Sequence, residues 1–383
     1  MEHYTVIGAE GDGIHDDTLP LREALSGGNR DVNIPSGTYL VKEPIRIGSH
    51  THIHADKNAR LIFRPDRPMV QSDFLLTNDN FEHGNEDILV EGGIWDGGFG
   101  GKYNTKHNDL FKINTASGAC LNFLNVHGLI LSDLEVTNSV VYFIRMARLW
   151  DFTIRNIGFS SRQLAYNQDG LHFGGDVHNG VVENIHALTK GQTNDDMIAL
   201  NADDSIQRLE NRGLCCGPIE NIVFRNIYAE DCYTAIRMLS ITAPIRHITI
   251  ENIYAGCRYY AINMDAARYC RTPLFSEDDA VDGVGCIEDV HIRNMTVYAS
   301  KKETYVPALI RVESHCSNVS VEGFIRDFNH DAAPSLPTLM AKNLTHQRIT
   351  FDGKNEELHE KSQSFIVSGA LSSLLLTDTN AHI

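Results

Sequence analysis

Phe152-Thr153-Ile154-Arg155-Asn156-Ile157 is the stretch whose repetition decides the fold. Apolar and polar residues alternate through it, the two-residue period of a strand with one buried face. An Asn and one more apolar residue end it. The pattern returns as Ile222-Val223-Phe224-Arg225-Asn226-Ile227, as Ile248-Thr249-Ile250-Glu251-Asn252-Ile253 and as Val290-His291-Ile292-Arg293-Asn294-Met295. A weaker copy is Val181-Val182-Glu183-Asn184-Ile185. Successive marker asparagines lie 28, 42, 26 and 42 residues apart, a regular unit with two longer insertions. Periods of roughly 20 to 50 residues belong to solenoids, propellers and arrays. No helical period intervenes, which disfavours a doubly wound α/β sheet, and a propeller blade needs four strands in about 40 residues. The prediction is an all-β chain, a single-stranded right-handed parallel β-helix in which each coil pairs its backbone with the next.

Coil-like segments begin at Ile88–Ile94 and Val126–Leu131 and continue to Val319–Phe324 and Ile349–Phe351. Before them, residues 11–25 read as a loop and a short helix. Asp17 or Thr18 is placed to cap it, Pro20 stands in its first turn, and Leu21, Ala24 and Leu25 make its apolar face. The organisation expected is one domain over residues 1–383. Residues 1–45 form an N-terminal cap region and residues 340–383 a last coil and cap, because an open solenoid end exposes strand edges. The marker asparagines are expected to stack as a turn ladder.

The net charge of −17 and pI of about 5.4 argue against nucleic acid and anionic membranes as partners. No apolar run reaches the length of a membrane span. The start, Met1-Glu2-His3-Tyr4-Thr5-Val6, has neither a basic nor an apolar leader region. A cytoplasmic location is the expectation, or a secreted one if a leader was removed. The eight cysteines form no CxxC pairs, against a zinc ribbon. Cys120, Cys232 and Cys257 fall at core positions. The adjacent Cys215 and Cys216 allow a vicinal disulfide, with two free thiols favoured.

Acidic residues recur at a near-constant offset from the markers. Asp169 is 13 residues past Asn156, Asp196 is 12 past Asn184, Arg237 is 11 past Asn226 and Asp265 is 13 past Asn252. Stacked coils would bring them to one wall, with Asp169 and Asp196 on coils ~4.8 Å apart. Asp195 beside Asp196 makes an unusual pair, since neighbours on a strand point to opposite faces and a buried carboxylate needs partners. Crowded carboxylates suit a general acid and a base that handles water. Asn167, His172, Arg237, Asn263 and Asp265 are the candidate substrate-binding residues, the planar guanidinium suiting a sugar carboxylate. A solvated turn, a wall histidine and a charge-neutralising arginine are the plain structural alternatives. The charge run from Asp203 to Glu210 reads as a solvated loop.

On these residues the chain resembles glycoside hydrolase family 28, the polygalacturonase-like enzymes of the pectin-lyase-like β-helix superfamily. Gly11-Asp-Gly-Ile-His-Asp-Asp17-Thr and Asn33-Ile-Pro-Ser-Gly-Thr-Tyr39 look like the family's opening cap. Gly92-Gly-Ile-Trp-Asp-Gly97 is similar to its Gly-x-Ile-Asp-Gly turn. Asn167-Gln168-Asp169 is similar to its Asn-Thr-Asp motif, with His172 following as in some plant members, and Asp195-Asp196 looks like its Asp-Asp pair. The resemblance implies an inverting hydrolase of pectin-type or related oligo- and polysaccharides. Asp196 would be the general acid, with Asp169 and Asp195 activating water. It implies no metal and no cofactor. Two departures stand out: no Gly-His-Gly follows the pair, and Arg-x-Lys becomes Arg237-Met238-Leu239. The lost lysine widens the expected substrate to neutral or differently charged sugars and short oligosaccharides. A polysaccharide lyase on the same fold and a non-catalytic glycan-binding β-helix of the spike or adhesin type are the alternatives.

Overall fold

The computed structural model describes residues 1–6, 8–67, 69, 73–98, 120–203, 216–266, 285–342, 347–358 and 364–379. The chain gathers into two compact units, whose residues interleave between 172 and 214. Unit 1 holds Met1–His172 and Asn179–Asp195, and unit 2 holds Phe173–His178, Asp196–Arg208 and Leu214–Ile383. Segments 204–215 and 267–284, with Cys215 and most of the expected charged loop, lie outside the described residues.

Unit 1 is a stack of parallel coils. Strands Arg30–Ile34, Thr51–Ala55, Asn85–Glu91, Leu121–Thr137 and Ile144–Ser160 pair in that order, all parallel. The register lines up Val32, Ile53, Val90, Leu131 and Ile154, each fully buried. Unit 2 repeats the scheme with Ile219–Cys232, Ile245–Cys257, Ile287–Ala299 and Cys316–Arg326, stacking Phe224, Ile250, Ile292 and Val321. Each column is an alternation read from the sequence and turned inward, so every coil adds one apolar layer and shares it with its neighbours.

Corners explain the marker. Asn156, Asn184, Asn226, Asn252 and Asn294 all sit at φ between 55° and 60°. That left-handed conformation costs most side chains 1–2 kcal/mol, roughly, and Asn less. Their amides form the expected ladder. In unit 1 Asn184 Nδ2 donates to Asn156 Oδ1 at 2.8 Å, and Asn156 Nδ2 to Asp133 Oδ1 at 2.7 Å. In unit 2 Asn252 donates to Asn226 at 3.1 Å and Asn294 to Asn252 at 3.3 Å. A second column of left-handed corners precedes the first by five residues: Asp87, Gly128, Asp151 and Asn179 in unit 1, and Asn221, His247, Asp289 and Asn318 in unit 2. It escaped the sequence reading because Asp, Asn, His and Gly all satisfy the same backbone need.

The ends differ from expectation in two details. Helix Thr18–Leu25 buries Leu21, Ala24 and Leu25 as predicted, but Asp17 makes no side-chain cap, and it is Asp16 Oδ1 that accepts the Thr18 N–H at 3.0 Å. The Asp17 carboxylate instead accepts the Glu10 N–H at 2.7 Å and the Gly11 N–H at 3.3 Å, holding the preceding loop. At the other end Gln347–Phe351, expected as a further coil, pairs antiparallel with Lys354–Leu358 and Ser373–Asp378. Ser373–Asp378 and Ser364–Val367 also lie antiparallel on Cys316–Arg326 and Leu339–Lys342. Reversed strands occupy the edge of the last parallel coil, which would otherwise offer unpaired N–H and C=O groups. Among the described residues no helix is long and apolar enough to cross a membrane. Cys120, Cys232 and Cys257 are buried free thiols, as expected for core positions.

Candidate active site

Unit 1 carries Asn167, Asp169, His172 and Asp195. Asp169 is anchored by its backbone: Phe143 N–H donates to its carbonyl at 2.8 Å, and Ile144 N–H to that of Gly170 at 3.1 Å. Its side chain is 4% exposed and its Oδ2 lies 2.6 Å from His172 Nδ1, while the His172 ring stacks on Tyr142 with centroids 4.0 Å apart. The histidine is a buried wall residue tied to the carboxylate, and it fixes which way Asp169 faces. Asn167 sits half-buried at φ 58°, a corner residue as well as a candidate ligand.

Gln168 is fully buried. Its amide donates to the Ser139 carbonyl at 2.7 Å and its oxygen accepts the Ala165 N–H at 2.8 Å and the Gln192 amide at 3.2 Å. Asn194 Nδ2 donates to the Ala165 carbonyl at 2.8 Å. Gln168, Gln192 and Asn194 thus stitch the loop bearing Asp169 to the loop bearing Asp195. The stitched loops bring carboxylate oxygens of Asp169 and Asp195 within 4.8 Å of each other. Two carboxylates so close resist simultaneous ionisation, so they are suited to share a proton or a cation.

Unit 2 carries Asp196, Arg237, Asn263 and Asp265. The strand register corrects the simple count from the markers. Asp196 stands opposite Thr234, and Arg237 opposite Ala199 and Asn263, so acid and arginine are three positions apart along the wall. The long side chain closes that gap: Arg237 Nη1 lies 3.5 Å from Asp196 Oδ2 and its Nη2 3.5 Å from Asp265 Oδ2. Asp196 is 3% exposed and Asp265 fully buried. The arginine bridges two buried acidic side chains.

The same strands supply residues that the sequence reading missed. Arg311 donates through Nε to Asn263 Oδ1 at 3.0 Å, places Nη2 2.9 Å from Asp265 Oδ2, and lies over the Tyr260 ring at 4.8 Å. Glu313 follows at 3.7 Å from Arg311 Nη1, and Lys342 Nζ is 2.7 Å from Glu313 Oε1. Asp196, Arg237, Asp265, Arg311, Glu313 and Lys342 form a chain of alternating sign across successive coils. The signal available was the alternation Ile310-Arg311-Val312-Glu313, which carries no Asn marker. Asp203, expected in a solvated loop, is instead fully buried and accepts the N–H groups of Ile241 and Ala243, both at 2.7 Å, and that of Thr242. Burial pushes its carboxyl up, against the pull of those hydrogen bonds.

Two grooves of unit 1 lie elsewhere. They adjoin, with volumes of about 470 and 480 Å³, share Glu135 and Leu188, and neither includes Asp169 or Asp195. The titratable cluster, rather than the depth of a groove, marks the candidate site, because chemistry needs converging acids and bases.

No known family model matches the chain. A segment is 39% identical over 127 residues to the plasmin and fibronectin-binding protein A of Streptococcus pneumoniae, covering 29% of this chain and 17% of that protein. Another is 32% identical over 85 residues to the phage-related protein YobO of Bacillus subtilis, covering 22% and 10%. The matched stretches are thus a small part of either relative. Among solved structures, the surface adhesin PfbA of Streptococcus pneumoniae aligns over 96% of this chain and 100% of that one, with TM-score 0.50 and 14% identity. An iota-carrageenase of family GH82 from A. fortis covers 78% and 72% at TM-score 0.54 and 16% identity. The family 28 exopolygalacturonase of Yersinia enterocolitica covers 87% and 68% at TM-score 0.54 and 13% identity. At such identities the likeness speaks for the fold: this chain is a right-handed parallel β-helix, an architecture shared by glycosidases and by an adhesin.

Proposed function

We propose that the chain is a glycoside hydrolase acting on pectin-type or related oligo- or polysaccharides by an inverting, carboxylate-based mechanism. The observation that carries this reading is the approach of the Asp169 and Asp195 carboxylates to within 4.8 Å, with His172 on Asp169 and Asp196 next in the chain. Asp169 and Asp195 would hold and deprotonate the attacking water, and Asp196 would protonate the leaving oxygen. No step needs a metal, so activity should survive EDTA; loss on chelation with recovery in calcium would favour a lyase. Asp196→Asn keeps shape but cannot donate that proton, and should lower turnover by ~10²–10⁴ with unchanged circular dichroism. Near-native release of reducing sugar by the variant would sink the assignment. NMR of the first-formed product should show the anomer opposite to that of the cleaved bond.

A second reading has its own support. The stretch similar to a streptococcal surface protein, and the alignment to the adhesin structure, favour a β-helix that binds glycans without cutting them. Binding of oligosaccharides by the wild-type chain with no release of reducing sugar or unsaturated product would establish it.

A further inference from the structure

We propose that Arg311 is a positioning residue of this site: acting through Asp265, it holds the Arg237 guanidinium against Asp196. This rests on the reading of Asp196 as a site residue, but its core claim is mechanical and can be tested without turnover. Arg237 reaches Asp196 and Asp265 through its two terminal nitrogens at 3.5 Å each, the long end of hydrogen-bond range. How firmly Asp265 is held therefore bears on where the guanidinium sits. Asp265 is fully buried, and Arg311 Nη2 approaches it to 2.9 Å, an ion pair rather than a well-aligned hydrogen bond. Arg311 is itself immobilised three ways: by Nε on Asn263, by its face on Tyr260, and by Glu313, which Lys342 holds in turn. Asn263 is 4% exposed and stands opposite both Arg237 and Arg311 in the register, so it spaces the two cations.

The arrangement also accounts for the departure at Leu239. The family motif carries its second cation two residues past the arginine, on the same strand. Here Leu239 stands opposite Asp265, and Arg311, two coils on, brings a cation to that carboxylate from the other side. The cation faces the support of Arg237 rather than standing beside it.

The test labels arginine with ¹⁵N in the full chain and follows the Arg237 side-chain resonance, identified by its loss in Arg237→Lys. In the wild type, rotation about the Arg237 Nε–Cζ bond should be slow. Arg311→Met should make it fast, and Arg311→Lys, which keeps a cation on Asp265, should restore slow rotation. If Arg311→Met does not fold, Asn263→Ala removes the Nε anchor alone and should speed the rotation partially. An Arg237 resonance and rotation rate unchanged in either variant would overturn the proposal. Where the wild type cleaves a glycan, Arg311→Met should lose about 10²-fold in kcat/KM, the expected cost of a misplaced group. Rescue by Arg311→Lys separates positioning from general loss of structure. If no glycan is cleaved, the hydrolase reading fails while the rotation measurement still decides the role of Arg311.

Discussion

Units 1 and 2 build the same device and use it differently. In unit 1, Arg145 donates through Nε to Asn122 on the preceding coil at 2.9 Å and lies 5.1 Å over the Phe74 ring. In unit 2, Arg311 donates through Nε to Asn263 at 3.0 Å and lies 4.8 Å over the Tyr260 ring. Arg145 is opposite Asn122 in the register, as Arg311 is opposite Asn263. Two positions further along these strands, unit 1 has Leu124 and Ala147, while unit 2 has Asp265 and Glu313. The Asn–Arg–aromatic triad is a way for the fold to bury a guanidinium, by hydrogen bond and ring face. The carboxylates are an addition to it, and they turn a packing motif into a network that reaches Asp196.

The largest expected effect comes from breaking that addition. Asp265→Ala leaves two mostly buried guanidiniums without their shared carboxylate and should destabilise the chain by about 3–5 kcal/mol. Asn122→Ala in unit 1 removes the acceptor for Arg145 and the donor to Thr77 Oγ1, and should cost about 1–3 kcal/mol. Urea denaturation of the two variants measures the difference, and equal losses would show that the carboxylates add nothing to the triad.

A smaller effect is expected where the units agree. Asn156 and Asn252 occupy the same left-handed corner, one in each unit. Replacement of either by Ala should cost about 1–2 kcal/mol, and by Gly distinctly less, because Gly enters that region without strain. Unequal penalties for Asn156→Ala and Asn252→Ala would mean that the ladder amides, rather than the backbone, carry the effect.

The smallest effect concerns pH and separates the units again. Asp87 in unit 1 accepts from His52 and His50, and Asp289 in unit 2 from His247 and His291. In each case the histidine hydrogen bonds, His52 first for Asp87 and His247 first for Asp289, hold the carboxyl below its usual range. Such stabilisation is present above the unfolded carboxylate value of about 3.9 and is lost as pH falls through the folded one. His50 is raised by its bond to Asp87. Its contribution is complete below the unfolded histidine value of about 6.5 and is lost as pH rises through the folded one. The wild-type Tm should therefore decline slightly from pH 6 to 8, and Asp87→Asn should flatten that decline. Asp289→Asn should flatten the acid limb instead. These groups are largely solvent-screened, so the shifts will be small.

What sequence alone could determine is what repeats. Alternation and a recurring Asn state the backbone's needs, one buried face and one left-handed corner per coil, and those needs are local. The β-helix, the core columns and the Asn ladder followed from them. The candidate residues were chosen by the same logic, a near-constant offset from a marker. Which of them touch was left to the tertiary structure. Asp196 and Arg237 meet only because a side chain spans three register positions, and Gln168 proves to be the clasp of two loops. Arg311 reaches Asp265 from 17 residues past Asn294, outside the offset of 11 to 13 that the other candidates share, and the C-terminal strands turn antiparallel where the stack needs an end. Side-chain reach, loop closure and edge protection depend on which coils stack, and that information exists only once the chain has wound.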